Sequence, residues 1–365
     1  METYLVGGAV RDQLLGLPVR ERDYVVIGST EDEMRAAGFR SVGKDFPVFL
    51  HPETHEEYAL ARTERKTGPG HLGFDVHAAP DVTLEEDLSR RDLTINAIAM
   101  DTDGKLLDPL NGKKDLDARI LRHISDAFSE DPLRILRVAR FLAYLSSFGF
   151  SAHSETTQLL NSMVEEGQLR ELTPERVLLE LNKALATDDP RGFFNYLEEI
   201  NASADLWPEI SQEDVERLNR IGTLDNASHK TETRFATLVM HLGSSEIDDL
   251  CKRLKCTNQR LELSTLVATQ LEPWTQLYSM SAANIVDYLY ELDAIRKQER
   301  FEMFCNSAES ISHKVNAQLW LEIARIVRQV KARDVAPDLK GPAVGEAVRE
   351  AQVNAVREFL TGISE

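Results

Sequence analysis

Leu5-Val6-Gly7-Gly8-Ala9-Val10-Arg11-Asp12 is followed by Glu21-Arg22-Asp23-Tyr24-Val25-Val26-Ile27, with twelve residues between Gly8 and Glu21. Tyr4-Leu5-Val6 reads as a short apolar strand stopped by two glycines. Residues 10–15 have helical spacing and end at Gly16, and the β-branched run 24–27 is a second strand ending at Gly28. Glycines at a strand end let backbone amides approach a polyphosphate, and the helix that follows turns its positive end toward the anion. Glu21 and Asp23 stand at i and i+2, so on a strand their carboxylates share a face. Two converging carboxylates suit Mg²⁺ ions and in-line displacement at phosphorus. A plain turn with solvated charges is the alternative reading of either motif alone; the two together, in a strand–helix–strand context, favour the phosphate cradle.

Further along, residues 46–50 and 57–61 look like strands, and residues 66–73 hold three glycines and one proline, which is loop chemistry. Residues 92–100 fit a helix or a strand equally well by periodicity. After about residue 126 strand signals fade and amphipathic helices take over. Asp131-Pro132, Thr173-Pro174 and Asp189-Pro190 each put a capping residue before a proline at a helix start. Helical patterns also run through 312–335 and 343–361, with a break at 337–342.

The chain has 365 residues, 42% apolar and 28% charged, the composition of a folded chain with a sizeable core and two or three domains. It lacks an apolar run long enough for a membrane span and a basic-then-apolar leader, so no membrane partner is expected. Three scattered cysteines exclude a disulfide framework or a zinc cage and imply a reducing, cytoplasmic setting. The net charge of −19 argues against a chain coated with nucleic acid, yet leaves room for a local basic groove.

The strand-end glycine pair followed by two acids around one residue resembles the nucleotidyltransferase superfamily related to DNA polymerase β. The wider string at residues 5–12 looks like the first motif of class II CCA-adding enzymes (tRNA nucleotidyltransferases) and of bacterial poly(A) polymerase. Arg90-Arg91-Asp92-Leu93-Thr94-Ile95-Asn96-Ala97 resembles the family's ribose-recognition motif, Asp108-Pro109-Leu110-Asn111-Gly112 its head-to-neck region, and Glu130-Asp131-Pro132-Leu133-Arg134-Ile135-Leu136-Arg137 its base-reading motif. The likeness covers residues 1 to about 200, including Thr173-Pro174-Glu175-Arg176, and its flavour around residues 46–62 favours the CCA-adding branch.

The resemblance implies an α+β chain: a polymerase β-like head at 1–125, a helical neck at 126–205 and a helical body and tail at 206–365. It implies template-independent addition of CCA to the 3′ end of tRNA from CTP and ATP, with release of pyrophosphate. Glu21 and Asp23 would be the catalytic metal ligands, with Mg²⁺ as cofactor. Glu57 falls at the third catalytic carboxylate, a candidate general base, with its neighbour Glu56 as the alternative. Gly8 and Arg11 would touch the nucleotide, Arg91, Arg137 and Arg140 would clamp the triphosphate, and Asp92 and Asn96 would sense ribose hydroxyls.

Asp131 and Arg134 also make sense chemically. Cytosine and adenine both present an exocyclic amine beside a ring-nitrogen acceptor, which an acid next to an arginine complements; uracil and guanine mismatch it. A capping role for Asp131 and a solvated arginine stripe are the structural alternatives. Lys252, Arg253, Lys255, Arg325, Arg328 and Lys331 are candidate contacts to the tRNA acceptor arm, with solvated helix faces as the alternative, and a monomer is expected, with a dimer as the alternative.

Two departures stand out. Glu21 occupies a position where the family usually has Asp, one methylene shorter. Relatives with an appended HD phosphohydrolase domain have His and Asp where this chain has Met240 and His241, so phosphohydrolase activity is not expected. CC-only addition, A-only addition, poly(A) synthesis and a non-catalytic tRNA-binding role are the rival readings.

Overall fold

The computed structural model describes residues 1–42, 48–66, 74–221 and 227–364, and these fall into two compact units. The first comprises Met1–Ala184 and Gly192–Leu206; the second comprises Leu185–Arg191 and Trp207–Glu365. The expected head and neck thus lie in the first unit, and the expected body in the second, which also takes in 185–191.

The first unit begins β1 (Glu2–Val6), α1 (Gly8–Leu15), β2 (Asp23–Ile27), α2 (Glu31–Ala36), β3 (Arg40–Ser41), β4 (Val48–Leu50) and β5 (Glu57–Leu60). It continues with β6 (Thr63–Lys66), β7 (Phe74–His77), α3 (Leu84–Ser89), β8 (Ala99–Met100), β9 (Leu106–Leu107), α4 (Gly112–Ala118) and β10 (Ile120–Leu121). Seven strands form one sheet in the order β3-β4-β5-β2-β1-β8-β9. Within it β2 and β5 run parallel and every other pairing is antiparallel.

Alternation along a strand explains why this sheet is covered on both faces. Val25 joins Val6, Leu88, Ala97 and Ala99 in one buried cluster. Its neighbour Val26 points the other way and packs with Met34, Phe49 and Leu60. Gly112 opens α4 where a Cβ would lie 2.1 Å from the carbonyl oxygen of Thr94, so no other residue fits that approach.

The rest of the unit is helical: α5 (Leu133–Tyr144), the short strand β11 (Ser151–Ala152) beside β10, α6 (Ser154–Glu165), α7 (Pro174–Leu185), α8 (Arg191–Glu199) and α9 (Ser203–Leu206). Buried Leu133, Ile135, Leu136, Val138 and Ala139 line one side of α5, which leaves Arg134, Arg137 and Arg140 on the other.

The second unit contains α10 (Gln212–Arg217), α11 (Ala227–Val239), α12 (Ser244–Arg253), α13 (Asn258–Thr275), α14 (Ala282–Glu291), α15 (Gln298–Ser312), α16 (Ala317–Gln329), α17 (Ala332–Val335) and α18 (Pro342–Ser364). Its core gathers Trp274, Trp320, Phe304, Leu289 and Val356. Among the described residues no helix is long and apolar enough to cross a membrane.

Local differences from the sequence expectations have physical causes. Residues 92–100 are neither a helix nor a strand throughout: a single 3₁₀ turn at Thr94–Asn96 precedes the two-residue β8. The helical pattern at 312–335 is broken, because His313 takes the left-handed conformation at φ 56° and Asn316 caps a new helix. Residues 43–47, which include the start of an expected strand, and the expected loop at 67–73 lie outside the described residues.

Candidate active site

The antiparallel pairing of β1 with β2 sets Val6 opposite Asp23, so the glycines that leave β1 stand beside the acid that opens β2. Gly7 has φ 71°, and a Cβ there would sit 3.1 Å from Nη1 of Arg91. The backbone conformation therefore favours glycine, and any side chain there would also push against the Arg91 guanidinium. Gly8 starts α1.

Glu21 lies just before β2 and Asp23 opens it; both are solvent-accessible, and neither has a hydrogen bond or ion pair among the described residues. The Asp23 carboxyl is raised from its ordinary value by burial at the recessed cleft wall and by Glu21, and Arg91 pulls the other way. Two unpaired, neighbouring carboxylates are a donor set that fits a divalent cation. Among the described residues no group of three or more His, Cys, Asp or Glu could hold a metal by itself, so the remaining ligands of such an ion would have to come from water and substrate phosphates.

The parallel pairing of β2 and β5 makes Glu57 the register partner of Asp23. Glu57 is exposed and has no hydrogen bond or ion pair among the described residues. Its rival Glu56 accepts from Thr54 at 2.9 Å and pairs with Arg22 at 3.5 Å.

A cleft of ≈ 720 Å³ opens above the glycines and is bounded by α1, the 90–96 segment, α5 and α7. Ten cationic and five acidic side chains line it, which makes this one region basic in a chain of net charge −19. Every nucleotide-binding candidate from the sequence lines this cleft: Gly8, Arg11, Arg91, Asp92, Asn96, Asp131, Arg134, Arg137 and Arg140. Glu21 and Asp23 line it too, and they also line a second recess of ≈ 490 Å³ that contains Glu57. The acids thus stand on the ridge between an arginine-lined cleft and a smaller recess. Glu57 borders only the recess.

A buried chain of polar contacts holds the cleft wall. Arg11 donates to Asp12 at 2.8 Å and to Asn96 Oδ1 at 2.7 Å; Asn96 donates to Asp92 at 3.0 Å; Arg137 pairs with Asp92 at 2.6 Å. Burial opposes ionisation of Asp92, but Arg137 and Asn96 hold it well below the usual carboxylate range. Arg90 and Arg91 both reach the fully buried Asp87, at 2.8 and 3.1 Å. The Nε of Arg91 is buried with no partner among the described residues.

The Arg134 amide donates to the Asp131 carbonyl at 3.0 Å, but among the described residues their side chains do not bond to each other. Asp131 accepts from the Leu133 amide at 3.1 Å and from Arg176 at 2.9 Å, while Arg134 donates to the carbonyls of Ala127 and Arg90 at 3.1 and 2.9 Å. Each is therefore fixed by separate partners rather than by the pair itself. Arg140 pairs with buried Glu180 at 2.5 Å.

The sequence reading left Arg20, Arg62, Tyr144, Arg176 and Lys183 out of the site, and all five line the cleft. The string at 173–176 was a signal for Arg176. Tyr144 had none: its hydroxyl donates to Asp12 at 3.0 Å, and Arg11 lies over its ring at 5.3 Å.

In the second unit His241 lies just past α11. Its Nδ1 faces buried Asp214 at 2.9 Å, and its Nε2 faces the Glu209 carbonyl oxygen at 3.2 Å. Of the candidate tRNA contacts, Lys252 pairs with Asp248 and Arg253 with Glu209. Arg325 and Arg328 line a small cavity of ≈ 250 Å³.

Comparison with known proteins agrees with this geometry. A family model described as "Poly A polymerase head domain" matches residues 3–122, and one described as "Probable RNA and SrmB- binding site of polymerase A" matches residues 149–213. The chain is 45% identical to the CCA-adding enzyme of Coxiella burnetii over 99% of its own length and 96% of that protein's. It is 41% identical to the multifunctional CCA protein of Acinetobacter baumannii over 98% of both. The fold resembles the crystal structure of the Bacillus stearothermophilus CCA-adding enzyme in complex with CTP, at a TM-score of 0.72, 23% identity and coverage of 98% of this chain and 89% of that one. The chain belongs to the class II CCA-adding enzymes of the poly(A) polymerase head family.

Proposed function

We propose that the chain adds CMP, CMP and AMP to the 3′ end of tRNA, using CTP and ATP and releasing pyrophosphate. The observation that carries this reading is the pair of unpartnered carboxylates, Glu21 and Asp23, beside the Gly7-Gly8 turn on the rim of a cationic cleft.

The triphosphate lies in the large cleft, where the Gly8 amide region, Arg11, Arg91, Arg137 and Arg140 offer donors to phosphate oxygens. The 3′ end of tRNA enters the recess on the other side of the acids, where Glu57 is placed to take the hydroxyl proton. Family members use a divalent metal, and here Mg²⁺ at Glu21 and Asp23, when bound, supplies charge stabilisation for attack at the α-phosphorus. Asp92 and Asn96 read the ribose. Asp131 accepts from the exocyclic amine of cytosine or adenine, and Arg134 donates to the ring nitrogen. Their separate anchors keep those edges from rotating to suit uracil or guanine.

The division into a catalytic head at 1–125, a base-reading neck at 126–205 and a tRNA-binding body at 206–365 belongs to this proposal, as does the absence of phosphohydrolase activity. A cytoplasmic setting, where ATP, CTP and tRNA meet, belongs to the same proposal.

Purified protein incubated with tRNA transcripts ending in the discriminator base, in –C and in –CC, with labelled CTP or ATP, tests the assignment. Repair of all three to –CCA is the expected result. Label from ATP alone onto –CC, CC addition without A, or long A tails would replace it with a sister activity. Retained tRNA binding without incorporation would reduce the chain to a binding protein.

A further inference from the structure

The three cysteines are free, and two of them, Cys251 and Cys256, bracket the end of α12. That end is a Schellman motif: the Cys256 amide donates to the Cys251 carbonyl at 2.8 Å, the Lys255 amide donates to the Lys252 carbonyl at 3.2 Å, and Lys255 takes φ 55°. The motif brings together the side chains at its two outer positions, usually as an apolar contact. Here both are thiols, and they lie within hydrogen-bond reach of each other.

The two sulfurs have different surroundings. Cys251 is buried, while Cys256 is partly open to solvent. The Cys251 thiol and the guanidinium of Arg260, itself paired with Glu232 at 2.8 Å, both face the Cys256 sulfur. Together they hold the Cys256 thiol below its ordinary value despite burial. The shared contact, burial and nearby Asp248 push Cys251 up, with Arg260 opposing. Cys305 is fully buried in the core of the same unit, and its thiol is raised by that burial.

We propose that Cys256 and Cys251 form an oxidisable dithiol, which a hydroperoxide converts to an intramolecular disulfide across the turn 252–255. The Cys256 sulfur attacks the peroxide oxygen; an S–O bond forms, the O–O bond breaks, and the leaving oxygen departs as water or an alcohol after taking a proton. Cys256 is thereby oxidised to the sulfenic acid and the peroxide is reduced. The Cys251 sulfur then attacks the Cys256 sulfur; an S–S bond forms, the S–O bond breaks, and the hydroxyl leaves as water with the Cys251 proton. Two thiols and one hydroperoxide become one disulfide, one water and one water or alcohol. A thiol reductant reverses the result. The turn so tied carries Lys252, Arg253 and Lys255.

Trypsin cuts after Lys252, Arg253 and Lys255, so the peptides bearing Cys251 and Cys256 separate unless their sulfurs are joined. The test treats the reduced full-length protein with a small excess of hydrogen peroxide, alkylates free thiols, digests without reductant and reads the peptides by mass spectrometry. The expected product is the linked pair, about 2 Da lighter than the sum of the two free peptides, as the major form of both cysteines. It disappears with dithiothreitol, and Cys305 is recovered alkylated. Cys251→Ser, checked by circular dichroism for an intact fold, should leave Cys256 as a sulfenic acid that dimedone traps. Recovery of both cysteines as alkylated thiols, linkage of either to Cys305 or to a second chain, or direct passage of wild-type Cys256 to the sulfinic acid would overturn the proposal.

Discussion

The Asp23 carboxyl is raised from its ordinary value by its recessed position and by Glu21, with Arg91 opposing, and this sets a pH dependence for the reaction. Its folded value is raised, so the carboxylate needed for metal binding is lost earlier on acidification than for an ordinary aspartate. The rate of CMP incorporation should therefore fall on the acid side, and higher Mg²⁺ should move that limb to lower pH by competing with the proton. A pH–rate profile at two Mg²⁺ concentrations checks this; an acid limb unmoved by metal would point to another group. Asp23→Asn should lower incorporation by on the order of 10³-fold or more with an unchanged circular dichroism spectrum. Wild-type rates in that variant would rule out the acid pair as the centre of catalysis.

At the level of elements, α5 does two jobs with one surface. Arg137 projects from it to neutralise Asp92 in the head, and Asp131 and Arg134 flank its first turn. Arg137→Met strands a buried carboxylate. Removing one partner of a buried pair costs about 3–5 kcal/mol, and because Arg137 is 33% exposed the expected loss is nearer 2–4 kcal/mol, read by urea unfolding at neutral pH. The sign with pH follows from the lowered Asp92: the pair contributes fully above the ordinary aspartate range, and its contribution drains away as pH falls from there toward the folded value. The variant should have a flatter acid limb of stability than the wild type. Asp131→Ala combined with Arg134→Ala should relax selection of CTP and ATP over UTP and GTP by roughly tenfold or more while the unfolding midpoint stays close to wild type. Competition assays with mixed nucleotides would show it, and unchanged selectivity would remove these residues from base reading.

The same scale shows what the residue pattern could and could not reveal. β2 was legible because Val25 and Val26 sit in an unbroken β-branched run with Gly28 behind it. The arginine face of α5 was legible from its three-residue spacing, and the family likeness pointed to Glu57. The Asp12–Tyr144 contact was not, because its partners are 132 positions apart and only the folded chain brings them together. The anchoring of Asp131 by Arg176 and of Arg134 by two carbonyls was hidden for the same reason. Residues 92–100 defeated periodicity because the three-residue turn and the two-residue strand there are too short for either pattern to recur.

For the molecule as a whole, an acidic chain with basic side chains gathered locally, Arg20 and Arg22 at the recess among them, can bind an RNA end without being coated by RNA. Affinity for tRNA should then fall by on the order of tenfold or more between about 50 and 200 mM salt, and a filter-binding series measures it. Binding insensitive to salt would mean that basic side chains do not contact the tRNA phosphates.

The account turns on Glu21 and Asp23 gripping divalent ions against a bound nucleoside triphosphate. Electron paramagnetic resonance of Mn²⁺ titrated into the protein with a non-hydrolysable CTP analogue reads that grip directly. The account predicts that Mn²⁺ becomes tightly protein-bound in the wild type only when the analogue is present, and that Asp23→Asn loses this binding while remaining folded. Equal Mn²⁺ binding by the wild type and by Asp23→Asn would contradict it.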